Sequence, residues 1–165
     1  QTCTATFFRP DALITARHCL DEGGSRIFER YHPKFVVTSK SDVANTEYDD
    51  DIAILVMDRE ISNETLSVGN KVEIGDEVTM VGFGCLSWQS SNVGGEKNYG
   101  TNNVEGFSNQ WPDAMRTIDI SRSEQDRSND SGAQAVRDGK NSLNCPGDSG
   151  GPMLRGTQII GISST

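Results

Sequence analysis

One serine in this 165-residue chain lies in a turn that suits a nucleophile. Ser149 is part of the stretch 144–152, which reads NCPGDSGGP. Glycines have no Cβ, so the backbone here can adopt a positive φ or pass close to another group, and we expect the turn to present the hydroxyl of Ser149. Such a turn also directs consecutive N–H groups into one anion-binding concavity, with Gly147 and Ser149 as the natural donors.

A serine hydroxyl is a weak nucleophile at neutral pH, so it needs a general base and a third group that orients the base. The chain has two histidines. His18 follows an apolar run that reads as a buried strand, whereas His32 precedes a proline in a polar stretch typical of a turn. Asp51 opens the apolar run DIAILV and is the carboxylate expected nearest the core. We therefore predict His18 as the base and Asp51 as its orienting group.

The order of these residues along the chain separates three known arrangements. GDSGG also fits the GxSxG pattern of the α/β-hydrolase nucleophile elbow, but that fold needs a histidine after the serine, and none follows Ser149. The subtilisin order would need an acid ahead of His18, where only Asp11 is found. The order His18, Asp51, Ser149 is that of the chymotrypsin arrangement.

Three motifs in this order resemble those of the trypsin/chymotrypsin-like serine peptidases. TARHC at 15–19 resembles their TAAHC, DIAIL at 51–55 their DIALL, and CPGDSGGP at 145–152 their CxGDSGGP. The resemblance covers most of the chain. It implies a serine endopeptidase that works through an acyl-enzyme, with nucleophile, base and orienting group as predicted above and the N–H groups of Gly147 and Ser149 as oxyanion donors. The alternative is a catalytically inactive homologue that acts as a binding module.

The resemblance also implies an all-β fold, with two packed six-stranded antiparallel β-barrels of the chymotrypsin type. We expect residues 1–70 to form the first barrel, with the base and its orienting carboxylate, and residues 71–165 the second, with the nucleophile. Family members usually begin with a strand whose freed amino group pairs with the aspartate before the nucleophile, here Asp148. The sequence has no counterpart of that strand or of the family's C-terminal helix, so we expect a fold that is incomplete at both ends, with Asp148 buried and lacking that partner.

Four cysteines allow three pairings. The spacing of Cys3 and Cys19 resembles that of the family disulfide beside the histidine, so the resemblance implies this bridge. A bridge between Cys85 and Cys145 is compatible with the fold, but the family partner of the second cysteine usually lies beyond the end of this sequence, and the pairing stays open. Because disulfides form in oxidising compartments, we expect a secreted or periplasmic protein.

The resemblance assigns the specificity pocket to Leu143, Asn144 and Ser164. In trypsin-like members that bind a basic side chain, an acid lies six residues before the serine, and here that position is Leu143. We therefore expect a preference for a small or apolar substrate side chain.

Composition limits the partners of the chain. Its net charge of −9 argues against binding nucleic acid or an anionic membrane surface. The apolar runs reach only about half a dozen residues, far short of the roughly 20 that span a bilayer. We expect a monomer that acts on protein or peptide substrates, is open to protein inhibitors, and needs neither a cofactor nor a metal.

Apolar alternation and turn residues predict the strands. We expect a hairpin within residues 4–15 and a connection between the barrels at 62–71. Further strands are predicted at 26–30, 34–39, 77–82, 103–106, 116–121, 152–155 and 158–163.

Overall fold

Strands dominate the fold. The structure is a computed structural model, and it describes residues 3–21, 29–38, 51–84, 96–107, 118–120, 144 and 146–164. Within these ranges the strands are β1 (Thr6–Arg9), β2 (Ala12–Thr15), β3 (Phe35–Thr38), β4 (Ala53–Val56), β5 (Ser67–Val68), β6 (Glu77–Gly82), β7 (Asn98–Phe107), β8 (Ile118–Ile120), β9 (Pro152–Arg155) and β10 (Gln158–Ile162). A short helix, α1, spans His18–Asp21. No helix among the described residues is long and apolar enough to cross a membrane.

The first sheet brings the ends of two strands to one edge. Its strand order is β1-β2-β4-β3, and β1 and β2 form the predicted hairpin. Alternate residues of β4, Ala53 and Leu55, are buried, and they pack with Leu13 in the first core. The register places Thr15 opposite Ala53. The segment that leaves β2 and the segment that enters β4 therefore meet at the same edge of the sheet.

The second sheet has the strand order β5-β10-β9-β6-β7-β8. Its central strand β6 alternates as predicted, with Val78 and Met80 buried. The pairing of β6 with β9 sets Met80 opposite Met153. In this register the residues just after β6 lie next to the turn that precedes β9. Ser149 lies in this turn.

The two sheets confirm the all-β prediction and most of the predicted strands. β6 and β9 match their predicted ranges, and β3 and β10 differ from theirs only at the ends. β7 begins at Asn98, well before the predicted Asn103, because pairing with β6 extends to Gly82 opposite Asn98. Backbone pairing here overrides the low strand preference of Asn and Gly. Residues 26–28 of the strand predicted at 26–30 lie outside the described residues, and residues 29–31 are helical, so the described end of this prediction is wrong.

The predicted connection between the barrels contains β5. This strand pairs in parallel with β10 of the second sheet, although it lies before the boundary predicted at residue 70. The parallel pair is a departure from the antiparallel arrangement we expected throughout. The division into two domains stays a prediction.

The predicted disulfide between Cys3 and Cys19 is present. It links the residues before β1 to helix α1. The two ends of the segment that contains the hairpin of β1 and β2 are therefore joined. Cys85 and Cys145 lie outside the described residues, and their pairing stays a prediction.

Removing this disulfide is expected to lower the free energy of unfolding. The bridge closes a segment with a sequence separation of 16, and a loop of about this size contributes roughly 3 kcal/mol by restricting the unfolded chain. Urea unfolding of the wild type and of the double variant Cys3→Ala/Cys19→Ala measures the difference. Equal unfolding midpoints with equal slopes would contradict the prediction.

Candidate active site

A histidine and an aspartate meet at the shared edge of β2 and β4. His18 begins α1 and is separated from the end of β2 by two residues, and Asp51 precedes β4. Nδ1 of His18 lies 2.5 Å from Oδ2 of Asp51, and the backbone N–H of His18 donates to Oδ1 at 2.8 Å. Because a carboxylate can only accept, the ring proton lies on Nδ1, and Nε2 is the nitrogen left to accept a proton.

The surroundings of Asp51 keep its carboxylate ionised. Burial by itself raises the pKa of Asp51, but the hydrogen bond from Ser164 and those from the backbone and ring of His18, together with the charge of His18, lower the pKa below its ordinary value. The bond from Ser164 Oγ to Oδ2 is 2.6 Å long. Asp51 is therefore a charged acceptor at neutral pH, as an orienting group must be.

The lowered pKa of Asp51 predicts how stability depends on pH. Since the pKa is lower in the folded chain, this carboxylate stabilises the fold above about pH 4, and its contribution is lost as the pH falls through the folded pKa. Ser164→Ala removes one of the bonds that lower this pKa. We expect the variant to be about 1 kcal/mol less stable than the wild type near pH 7 and to lose less stability on acidification.

Urea unfolding near pH 7 and near pH 3 tests this prediction. Ser67→Ala, at an exposed position on β5, is the matched control and should follow the wild type at both values. A Ser164→Ala variant that loses as much stability in acid as the wild type would contradict the role given to this hydroxyl.

Ser149 lies in the turn before β9, and the glycines of this turn behave as predicted. Gly147 and Gly150 have φ angles of 100° and 82°. A Cβ added to Gly151 would lie 2.2 Å from the carbonyl oxygen of Val81. The predictions of positive φ and of close backbone approach are therefore confirmed.

One expectation for this turn is wrong, because Ser149 is fully buried rather than exposed. The turn folds back on the first sheet: the backbone N–H of Thr4 donates to the carbonyl oxygen of Ser149 at 2.7 Å, and Sγ of Cys19 lies 3.7 Å from the same oxygen. The glycine pattern predicts the local backbone, whereas the contact with the first sheet determines exposure.

The disulfide sulfur of Cys19 lies close to both the histidine and the serine turn. Nε2 of His18 is 3.8 Å from this sulfur, and the carbonyl oxygen of Ser149 is 3.7 Å from it. His18, which is paired with Asp51, and the serine turn thus both lie beside the Cys3–Cys19 disulfide. Cys3, His18 and Cys19 place three ligand-type atoms within 4.8 Å of one another, but both sulfurs belong to the disulfide and are not free to bind a metal.

The structure describes two of the three residues predicted to form the specificity pocket, and also the second histidine. Oδ1 of Asn144 accepts a hydrogen bond from Ser163 Oγ at 3.1 Å. Ser164, assigned to the pocket, directs its hydroxyl to Asp51, and Leu143 lies outside the described residues. The pocket itself stays a prediction. His32 is exposed, with a φ of 46°, which fits the turn predicted there.

The expectation that Asp148 is buried is corrected by the structure. Its side chain is half-buried, and Oδ1 accepts a hydrogen bond from the backbone N–H of Gly84 at 2.8 Å. A Cβ added to Gly82 or Gly84 would lie within 2.6 Å of a carboxylate oxygen of Asp148. The two glycines of the segment 81–84, VGFG, therefore form a close-fitting cradle for this aspartate, a role that we did not predict.

Comparisons with known proteins identify the family and the fold of the chain. The family model Trypsin matches residues 1–165. Human heparin binding protein is 16% identical with a TM-score of 0.68, over 99% of this chain and 74% of that protein. Mouse neuropsin, described as a serine protease expressed in the limbic system of the brain, is 14% identical with a TM-score of 0.63, over 98% of this chain and 75% of that protein. Comparison with curated protein sequences gives no match.

At these identities the likeness to solved structures shows the fold alone, which is that of chymotrypsin. The family is shown by the family model, which matches the whole sequence. The chain belongs to the trypsin family.

Proposed function

We propose that this chain is a serine endopeptidase that hydrolyses peptide bonds through an acyl-enzyme. The observation that carries the proposal is the pair formed by Asp51 and Nδ1 of His18, which leaves Nε2 as the proton acceptor beside the turn of Ser149. A weak nucleophile, a base and a group that fixes the tautomer of the base are the parts that acyl transfer needs.

The reaction uses these groups in two half-reactions. Oγ of Ser149 attacks the carbonyl carbon of the scissile bond as its proton passes to Nε2 of His18. The N–H groups of Gly147 and Ser149 stabilise the oxyanion. The C–N bond then breaks as Nε2 returns the proton to the leaving amine, and water hydrolyses the acyl-enzyme with the same base. Asp51 holds the Nδ1–H tautomer and stabilises the imidazolium throughout.

Substrates and location follow from the same proposal. The substrates are proteins or peptides, protein inhibitors would bind the same site, and a monomer is sufficient for this chemistry. The disulfide between Cys3 and Cys19 supports a secreted or periplasmic location. Human heparin binding protein binds heparin by its name, but the net charge of −9 here does not support binding of that polyanion.

A second candidate function is supported by the burial of Ser149. This residue is 0% exposed, and acyl transfer needs its Oγ within about 3.5 Å of a substrate carbonyl carbon. A homologue that binds other molecules without catalysis would tolerate a buried serine. The peptidase proposal therefore requires the covering residues to move when substrate binds.

Labelling with a fluorophosphonate and mass mapping of the modified residue separate the two functions. An active peptidase is labelled at Ser149 and loses the label in His18→Ala, whereas a binding homologue is not labelled at all. His32→Ala, at the exposed second histidine, is the matched control and should keep the label. Loss of label in His32→Ala alone would show that the base is assigned to the wrong histidine.

The side chain preferred before the scissile bond is a further prediction. No carboxylate lies between Asp138 and Asp148 in the sequence, so a substrate arginine would enter the pocket without the partner that a buried cation needs. We expect kcat/KM to be at least about 10-fold higher for a leucine than for an arginine substrate. Matched peptide amides that differ only at this residue provide the measurement, and a clear preference for arginine would overturn the pocket assignment.

A further inference from the structure

Thr4 is a buried polar residue at the junction of the first sheet and the serine turn. It follows Cys3 of the disulfide, and only 3% of its surface is exposed. Its hydroxyl donates to the carbonyl oxygen of Gly147 at 3.2 Å and accepts from the backbone N–H of Phe83 at 3.2 Å. A single side chain thus connects the serine turn to the segment that follows β6.

The backbone of Thr4 holds the residue in place for these contacts. Its N–H donates to the carbonyl oxygen of Ser149 at 2.7 Å, and its carbonyl oxygen accepts from Oγ1 of Thr15 at 2.7 Å. Thr15 is the last residue of β2 and is fully buried. Thr4 is therefore fixed to the first sheet. The two hydrogen bonds of its hydroxyl hold the serine turn and the segment after β6 in place relative to this sheet.

The serine turn includes groups that the reaction would use, and the segment at 83–84 binds Asp148, the residue before the nucleophile. Gly147 has a φ of 100° and no side chain, so the orientation of the Gly147–Asp148 peptide depends on external hydrogen bonds, such as the one from Thr4 to its carbonyl oxygen. Gly84, next to Phe83, donates to the carboxylate of Asp148. The serine turn includes Asp148 and the proposed oxyanion donor Gly147. The hydroxyl of Thr4 therefore joins this turn to residues 83–84.

We propose that Thr4 is a positioning residue, whose hydroxyl locks the serine turn to residues 83–84 and so holds in place the Gly147–Asp148 peptide, which lies between the two proposed oxyanion donors. The catalytic consequence rests on the peptidase function proposed above. The lock itself does not, since it is a property of the folded chain. The lock and its catalytic consequence are therefore measured separately.

The lock is tested by amide hydrogen exchange. Thr4→Val keeps the shape of the side chain and removes both hydrogen bonds of the hydroxyl, so exchange in peptides covering 82–84 and 146–151 should become about 10-fold faster. Thr4→Ser keeps the hydroxyl and should restore protection. Thr79→Val on β6 is the matched control and should leave these peptides unchanged. Unchanged exchange in Thr4→Val would overturn the proposal. This test applies equally if the chain is not labelled by a fluorophosphonate and is therefore not an active peptidase.

The catalytic consequence is tested by steady-state kinetics on the same variants. We expect Thr4→Val to lower kcat by about 10-fold with KM nearly unchanged, less than the 10²-fold or more expected when a donor itself is lost. Thr4→Ser should recover most of this rate. A kcat that is unchanged while protection falls would overturn the positioning role. If Thr4→Val does not fold, Thr4→Ala and Thr4→Ser, which differ by the hydroxyl alone, provide the same comparison.

Discussion

Asp51→Asn is expected to lower kcat by about 10⁴-fold and to leave KM nearly unchanged. In the structure both carboxylate oxygens act as acceptors: Oδ1 accepts from the backbone N–H of His18, and Oδ2 accepts from the ring of His18 and the hydroxyl of Ser164. An asparagine has one acceptor oxygen. The backbone N–H can only donate, so the amide oxygen must face it.

The NH₂ group of the asparagine then points to the histidine ring. Nδ1 of His18 has to become an acceptor, and the ring proton moves to Nε2, the nitrogen that must take the proton from Ser149. The hydroxyl of Ser164 is able to reverse and accept, so it does not oppose this arrangement. The variant is thus expected to fold normally with the wrong tautomer.

Kinetics on a single peptide substrate and the rate of fluorophosphonate labelling both measure this loss. Asp11→Asn is the matched control, since Asp11 forms an exposed ion pair with Arg9 in the β1–β2 turn, and it should keep the wild-type rate. Urea unfolding confirms that both variants are folded. A rate within 10-fold of the wild type in Asp51→Asn would show that this carboxylate does not orient the base.

Much of this architecture is predictable from local sequence patterns. The strand β6 follows from alternation of apolar residues, and the hairpin of β1 and β2 from the turn at Pro10 and Asp11. His18 and Asp51 each adjoin an apolar run, and because β2 and β4 are neighbours in the sheet, the two residues come together at its edge. Here local pattern and tertiary structure agree.

The polar contacts that complete the site were not predicted. The hydroxyl of Ser164 reaches Asp51 from 113 residues away along the chain, and that of Thr4 reaches Gly147 over 143 residues. Hydroxyl groups have no periodic pattern that specifies a distant partner, so their roles emerge only when the sheets are packed. The burial of Ser149 does not follow from the local pattern for the same reason, because it depends on the residues that contact the turn.

The packing behind the serine turn predicts a large loss of stability for Gly150→Ala. Gly150 has a φ of 82°, and an added Cβ would lie 2.1 Å from the carbonyl oxygen of Thr4 and 2.2 Å from Oγ1 of Thr15. These two atoms form a 2.7 Å hydrogen bond with each other, so neither can move aside without weakening it. We expect a loss of about 4 kcal/mol from the strained backbone and the overpacking together.

Gly156→Ala separates the two causes of this loss. Gly156 also has a positive φ, 60°, but a Cβ there would meet nothing within 4 Å, so only the backbone term of about 1 kcal/mol applies. Urea unfolding of both variants measures the difference. Equal losses would show that the contact with Thr4 and Thr15 is not tight in solution. Because the comparison depends on packing alone, it applies equally to an active peptidase and to a homologue that only binds.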